Sequence, residues 1–218
     1  MTIQELCSDF PLLFHMAERG SWESIASHGL LSTTALLDLF EYTDGQRSSI
    51  ESQHRPRSIT INHPVLGTAV IRDQKPMSDS GLQRCLSDCT PEEWYRILNR
   101  HVFFWVTKER LLGLLKAQLY RNKEHDVITV DTRGLVSQYS NDIVLSPMNS
   151  GCTTPFPHPR SRGIFMPITS FPYRGRRRTR PKQNALVELS VRYAVPDITR
   201  FIIRVERMQG DQVRETIL

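Results

Sequence analysis

Residues 90–121, "TPEEWYRILNRHVFFWVTKERLLGLLKAQLYR", constrain the fold more than any other stretch. They open on a helix start, with Thr90 as cap, Pro91 at the first helical position and Glu93 at the third. "HVFFWV" then breaks the helical period with aromatic and β-branched residues, as a buried strand does. "TKERLLGLLKAQLYR" resumes the period as an amphipathic helix. Shorter signals surround this core. "TIQE" has capping-box form, "LLFHM" reads as an apolar strand carrying His15, and "SWESIASHGLL" reads as a helix with Ser21 as cap and Gly29 as stop. Residues 41–64 look polar and irregular, with Ile59 and Ile61 alternating near the end. "LGTAVIRDQKP" reads as a strand running into a turn. "DVITVD", "DIVLS", "LVELSVRY" and "TRFIIRVERM" predict four more strands. Helices early and strands late predict a single α+β domain over residues 1–218.

Charge is distributed unevenly. The formal net charge is +5, yet residues 159–182 hold eight Lys or Arg and no acid, and the remainder carries 20 basic against 23 acidic residues. Such local basicity predicts an anionic partner at one place. Seven of the 13 prolines fall within 146–183, so residues 153–182 read as a long Pro- and Arg-rich functional loop. Arg174, Arg176, Arg177, Arg178 and Arg180 stand beside Phe171 and Tyr173, the pairing that nucleic-acid binding requires: charge for phosphate, rings for bases. The alternative is a solvated charge run.

Several classes are excluded. There is no phosphate-binding P-loop, no G-x-G-x-x-G, no nucleophile elbow and no H-E-x-x-H. Cys85 and Cys89 in "CLSDC" stand one helical turn apart, but nothing nearby completes a set of four ligands, so no metal is predicted. No 18-residue apolar run predicts a membrane span, and the acid-containing N-terminus does not read as a signal peptide. Reduced thiols and a cytoplasmic location are the expectation.

Glu188 is the candidate site residue. It stands alone inside "LVELSVRY", after 45 residues (143–187) without an acid. Either it faces outward on an edge strand, or it is a carboxylate at the mouth of a cleft, held precisely by its strand. His15 is either a satisfied strand-end residue or a ligand contact. "VFFW" supplies core packing, and an aromatic at its end is placed to stack a planar ring. Arg72 and Asp73 are expected to pair with each other.

In this order the pieces resemble the ADP-ribosyltransferase superfamily, in the branch of DarT-type DNA ADP-ribosyltransferase toxins and RNA 2′-phosphotransferases. "LLFHMAERGSWESIASHGLLS" has the pattern of that family's opening, an apolar strand with His and then a helix ending I-x-x-x-G-L. "VFFWVTKERLLGLL" is similar to its aromatic second motif. "VELSVRYAVP" resembles the DarT catalytic strand, from Glu188 to Pro196. With "IRDQKP", "LNRHVFFW" and "SPMNSG", the chain looks most like an uncharacterised bacterial domain family placed in this superfamily.

The resemblance implies a split β-sheet, NAD as substrate, and Glu188 bonding the nicotinamide ribose and stabilising an oxocarbenium-like centre. It also implies that His15 and the neighbouring Gly29 line the NAD site, with Phe104 or Trp105 against nicotinamide and Arg72 or Arg57 at the pyrophosphate. The basic loop falls where acceptors are recognised, which implies DNA or RNA, and by analogy a toxin or defence role with an antitoxin partner. Two departures matter. Leu186 stands where protein-arginine transferases place Gln or Glu, and Trp105 stands where relatives often carry Tyr. The alternatives are a 2′-phosphotransferase and a non-catalytic NAD- or nucleic-acid-binding module.

Overall fold

In the computed structural model, which describes residues 1–218, strand segments are spread along the whole chain. The first six are β1 (Leu12–Glu18), β2 (Leu30–Leu31), β3 (Ile59–His63), β4 (Gly67–Ile71), β5 (His101–Trp105) and β6 (Glu124–Asp131). The last six are β7 (Ile143–Ser146), β8 (Met166–Pro167), β9 (Glu188–Arg192), β10 (Ala194–Val195), β11 (Ile202–Gln209) and β12 (Gln212–Thr216). Eight form one sheet in the order β12-β11-β6-β1-β5-β9-β7-β8, antiparallel at each pairing. β3–β4 and β10–β2 are separate two-stranded sheets. The chain is therefore α+β, although the strands are not concentrated late: β1 lies in the middle of the sheet.

Both faces of that sheet are covered. Six consecutive residues of β6 are buried, because β6 lies between β1 and β11 and its side chains alternate into two cores. Leu13, Phe104, Ile128, Val130, Leu189 and Val191 fill one core, with Phe10, Phe171 and Tyr173 added from outside the sheet. Phe14, Met16, Val127 and Met208 face the other, against Leu111, Leu115 and Tyr120. Each fully buried side chain of this size contributes about 1.5–3 kcal/mol. A smaller core (Leu37, Phe40, Ile50, Ile61, Ala69, Ile71) joins the helices Thr33–Leu39 and Asp44–Ser52 to the β3–β4 hairpin.

The join between β1 and β5 is the weak place. β1 pairs with β6 at seven positions and β5 with β9 at five, but β1 and β5 share only Phe14↔Trp105. Beyond that position the strands part, and the ring of His15 bridges the gap by donating Nδ1–H to the Phe103 carbonyl at 2.9 Å. The sheet opens here.

Local signals were kept where the partners are local. Thr2 and Thr90 both form capping boxes, opening the helices Ile3–Asp9 and Pro91–Asn99. Ser21 departs from expectation. Its hydroxyl makes no cap bond, because the buried carboxylate of Asp126 accepts from the N–H groups of Gly20 (2.8 Å) and Trp22 (3.3 Å) instead. The stretch 41–64 contains a helix that its polarity hid, Asp44–Ser52. The helix after β5 stops at Leu115, shorter than its apolar period predicts, so that Tyr120 can turn into the core. Residues 153–182 are not a structureless loop. They carry two 3₁₀ turns, β8 and the short helix Tyr173–Arg177, anchored by Ile168, Phe171 and Tyr173 in the main core. No helix is long and apolar enough to cross a membrane.

Candidate functional site

A cleft of about 300 Å³ opens where β1 and β5 part. One wall is β1 with the helix Trp22–His28 and β2, and the other is β5. The exit of β4 and the turn after β7 close its ends. His15, Gly29, Arg72, Phe104, Trp105 and Glu188 all line this one cleft, though 173 positions separate the first from the last.

His15 is held neutral. Burial pushes its imidazole down to about 4, so at pH 7 the proton sits on Nδ1, donated to the Phe103 carbonyl. Nε2 is left as an acceptor, suited to a ligand hydroxyl. Gly29 ends the following helix at φ +87°, with the backbone of Pro196 so near that a Cβ would lie 2.5 Å from its Cα. Only glycine fits there.

Arg72 does not pair with Asp73, contrary to expectation. Asp73 is taken by Lys75 at 3.2 Å and by the Tyr120 hydroxyl at 2.6 Å. The Arg72 guanidinium instead lies 5.0 Å over the Tyr120 ring, with its buried Nε unpartnered and one 3.5 Å contact to the Met16 carbonyl. It is a cation with donors to spare. Arg57 is exposed and does not line the cleft. Arg55 does line the cleft, but its donors go to the Ile50 and Arg72 carbonyls and to Asn99 Oδ1.

Glu188 opens β9, opposite Trp105 on β5 and Ser146 on β7, and is 5% exposed. It faces inward at the cleft, not outward on an edge. Its Oε2 accepts from the Ser150 N–H at 3.0 Å and the Ser150 hydroxyl at 2.8 Å. Burial pushes the carboxyl up to about 7, against the pull of Ser150, Arg110 and Arg160 toward the ionised form. A carboxylate of that acidity holds or releases a proton near neutral pH. Of the two candidate rings, Phe104 is 1% exposed and belongs to the core, edge-on to His15 at 5.8 Å. Trp105 remains half-buried at the cleft.

The basic segment divides. Tyr173 is no platform for a base: it is 4% exposed, packs on Phe10, and bonds Asp9 through its hydroxyl at 2.6 Å. Arg176 is spent on the carbonyls of Ala185, Pro147 and Asn184, tying the segment to the start of β9. Arg174 pairs with Glu5 at 2.6 Å. Arg177, Arg178 and Arg180 are exposed and free of acids, and none of the five arginines lines the cleft. The exposed ring is Phe156, 75% exposed, two residues beyond Thr154, whose amide and hydroxyl anchor to the Pro76 carbonyl at the cleft rim.

Ser150, Arg160, Arg55 and Phe156 are the site residues that sequence reasoning missed. Nothing in "SPMNSG" marks the second of its two serines as the partner of a carboxylate, and nothing in "TPFPHPRSR" marks one arginine as buried. No group of three or more His, Cys, Asp or Glu is placed to hold a metal ion.

A family described as "Family of unknown function (DUF7002)" matches this chain over residues 11–202. No curated protein and no solved structure matches it.

Proposed function

The chain belongs to the DUF7002 family, whose function is unknown, and from its cleft we propose an NAD-dependent ADP-ribosyltransferase acting on a nucleic acid, with an ADP-ribosyltransferase-like split sheet. One observation carries the reading. Where β1 and β5 part, a neutral histidine, an uncommitted arginine and a buried carboxylate line the same cleft, three chemistries that a dinucleotide with a cleavable glycosidic bond uses together.

NAD would lie with an adenosine-ribose hydroxyl donating to His15 Nε2 and its pyrophosphate against Arg72. Trp105 would wall the nicotinamide end. The C–N bond to nicotinamide breaks with its electron pair leaving on the ring nitrogen, and positive charge develops at ribose C1′. Ionised Glu188 stabilises that charge, and an acceptor atom then bonds to C1′ while its proton passes to the carboxylate. A 2′-phosphotransferase would need a row of free cations in the cleft. Arg55 is already spent on carbonyls, which leaves Arg72 and favours the transferase. A toxin or defence role with an antitoxin partner fits such chemistry by analogy.

The test is incubation of purified protein and labelled NAD with RNA, single-stranded DNA or cell lysate. Label in one fraction, lost in Glu188→Gln, is expected. No nicotinamide release with any acceptor would leave only a binding module. Arg72→Gln removes a charge-assisted contact worth about 1.5–3 kcal/mol, so NAD is expected to bind roughly 10- to 100-fold more weakly by calorimetry.

The acceptor face has its own check. Arg177, Arg178 and Arg180 are the cations free for phosphates, and about 0.7 in the salt slope is lost per single-strand phosphate contact. Replacing all three with Ser should flatten log K against log salt by about 2, and an unchanged slope would remove the nucleic acid from this face. Phe156→Ala is expected to cost about 1–3 kcal/mol of oligonucleotide binding without altering that slope.

A further inference from the structure

One of the two arginines whose charge acts on Glu188 is not on the cationic surface. Arg160 is 3% exposed and touches no carboxylate. Its three nitrogens donate to three main-chain carbonyls of the segment 150–158: His158 at 3.1 Å, Ser150 at 2.9 Å and Cys152 at 2.7 Å. Trp94 adds an indole N–H to the same Ser150 carbonyl at 3.3 Å. The other end of Ser150, its N–H and hydroxyl, holds Glu188. A guanidinium, a serine and a carboxylate thus form one connected chain inside the cleft wall.

We propose that Arg160 is a positioning residue for Glu188: by gripping the Ser150 carbonyl it fixes the turn whose N–H and hydroxyl orient the carboxylate toward the cleft. The proposal rests on the reading of Glu188 as the reacting carboxylate. A buried cation without an acid partner is costly, so its presence here needs a reason beyond packing. Rigid backing of a reacting group is such a reason, since a looser turn lets the carboxylate swing away from the reacting carbon. Ser150 supplies both hydrogen bonds to the ionised form, and Arg110, from the helix Lys108–Leu115, and then Arg160 lend it their charge. Trp105 and Ser146, the strand neighbours on either side, carry no charge. The guanidinium spends its hydrogen bonds on three main-chain oxygens, which makes geometry the larger contribution.

The test reads Glu188 directly, without turnover. In protein labelled with ¹³C at glutamate carboxyls, the Glu188 resonance is identified by its absence from Glu188→Gln and titrated in wild type, Ser150→Ala, Arg160→Gln and Arg160→Lys. Loss of the clamp should make Glu188 titrate about one pH unit higher in Arg160→Gln and Ser150→Ala, and less so in Arg160→Lys. In turnover, Arg160→Gln should lower kcat tenfold or more with KM for NAD unchanged, and Arg160→Lys should restore part of it. Should Arg160→Gln fail to fold, Arg160→Lys carries the test, because it keeps the charge but lacks the planar fork that ties the His158, Ser150 and Cys152 carbonyls together. An unchanged Glu188 titration in a folded Arg160 variant overturns the proposal. Wild-type protein that consumes no NAD, yet shows the Arg160-dependent titration, overturns the transferase reading and leaves the clamp standing.

Discussion

Glu188→Gln is expected to abolish ADP-ribose transfer and, in the same protein, to raise thermal stability above pH 7. The two effects share one cause. Glu188 is buried, and its carboxyl is pushed from 4.5 up to about 7, so the folded chain holds that proton more tightly than the unfolded chain does. Its contribution to stability is complete below pH 4.5, falls as pH rises through the window to about 7, and is flat beyond. Each pH unit of that window corresponds to about 1.4 kcal/mol, which gives a loss of about 3 kcal/mol at pH 8. Glutamine keeps the acceptor for Ser150 and never ionises, so it escapes the loss. For a chain of this size the gain at pH 8 is on the order of 5–10 °C in Tm, with little difference at pH 4.5. Transfer should fall by at least about 10²–10³-fold, the scale of losing one electrostatic stabiliser of the transition state. In wild type, kcat should climb about tenfold per pH unit below about 7 and level above it. A melting series showing Glu188→Gln no more stable than wild type at pH 8 would mean that the carboxylate is not a strained buried group, and the site would lose its best candidate.

How visible this was beforehand depended on the range of the interactions. Thr2 and Thr90 could be read as caps because their partners lie three residues away. Ser21 could not be read correctly, because its place is taken by Asp126 from β6, more than a hundred residues distant. Glu188 stands out as a lone acid in an apolar strand and His15 as a polar residue in another, at the middle of β1 rather than at its end, so pattern alone names both. That they line one cleft depends on the strand order, which no local pattern carries. The arginines show the limit most clearly. Arg55, Arg57, Arg72 and Arg160 look alike in sequence, yet Arg57 is solvated, Arg55 and Arg160 are sunk into carbonyls, and Arg72 is left with free donors. Phe171 and Tyr173 point toward nucleic acid in the sequence because arginines follow them. Their rings face Phe10 and the main core, where burial of an aromatic outweighs any surface role.

Gly29→Ala is expected to be the most damaging single-methyl change at the cleft, and a second glycine separates its two causes. At Gly29 the backbone has φ +87° and ψ 172°, a conformation essentially confined to glycine, and a Cβ would meet the Cα, O and C of Pro196 at 2.5, 2.6 and 2.8 Å. These are main-chain atoms, so no side-chain rotation relieves the overlap. Gly20 has a similar φ of +81° but nothing within 4 Å of its Cβ position. Gly20→Ala should therefore cost only the left-handed penalty, about 1–2 kcal/mol. Gly29→Ala should cost the penalty of its glycine-only conformation plus the separation of β2 from β10, in all more than about 3 kcal/mol. The separation has a visible route, because β2 and β10 pair at only two positions, Leu31↔Ala194 and Leu30↔Val195, backed by the Ser32 N–H to Tyr193 carbonyl bond at 2.9 Å. Pushing Pro196 away breaks this short ladder, and with it the tie between the helix Trp22–His28 and the strand that leaves Glu188. Urea unfolding of both variants gives the comparison. Equal losses would mean that only backbone conformation matters at Gly29. A larger loss at Gly29, accompanied by weakened NAD binding that Gly20→Ala does not show, would mean that the approach to Pro196 holds the cleft in shape.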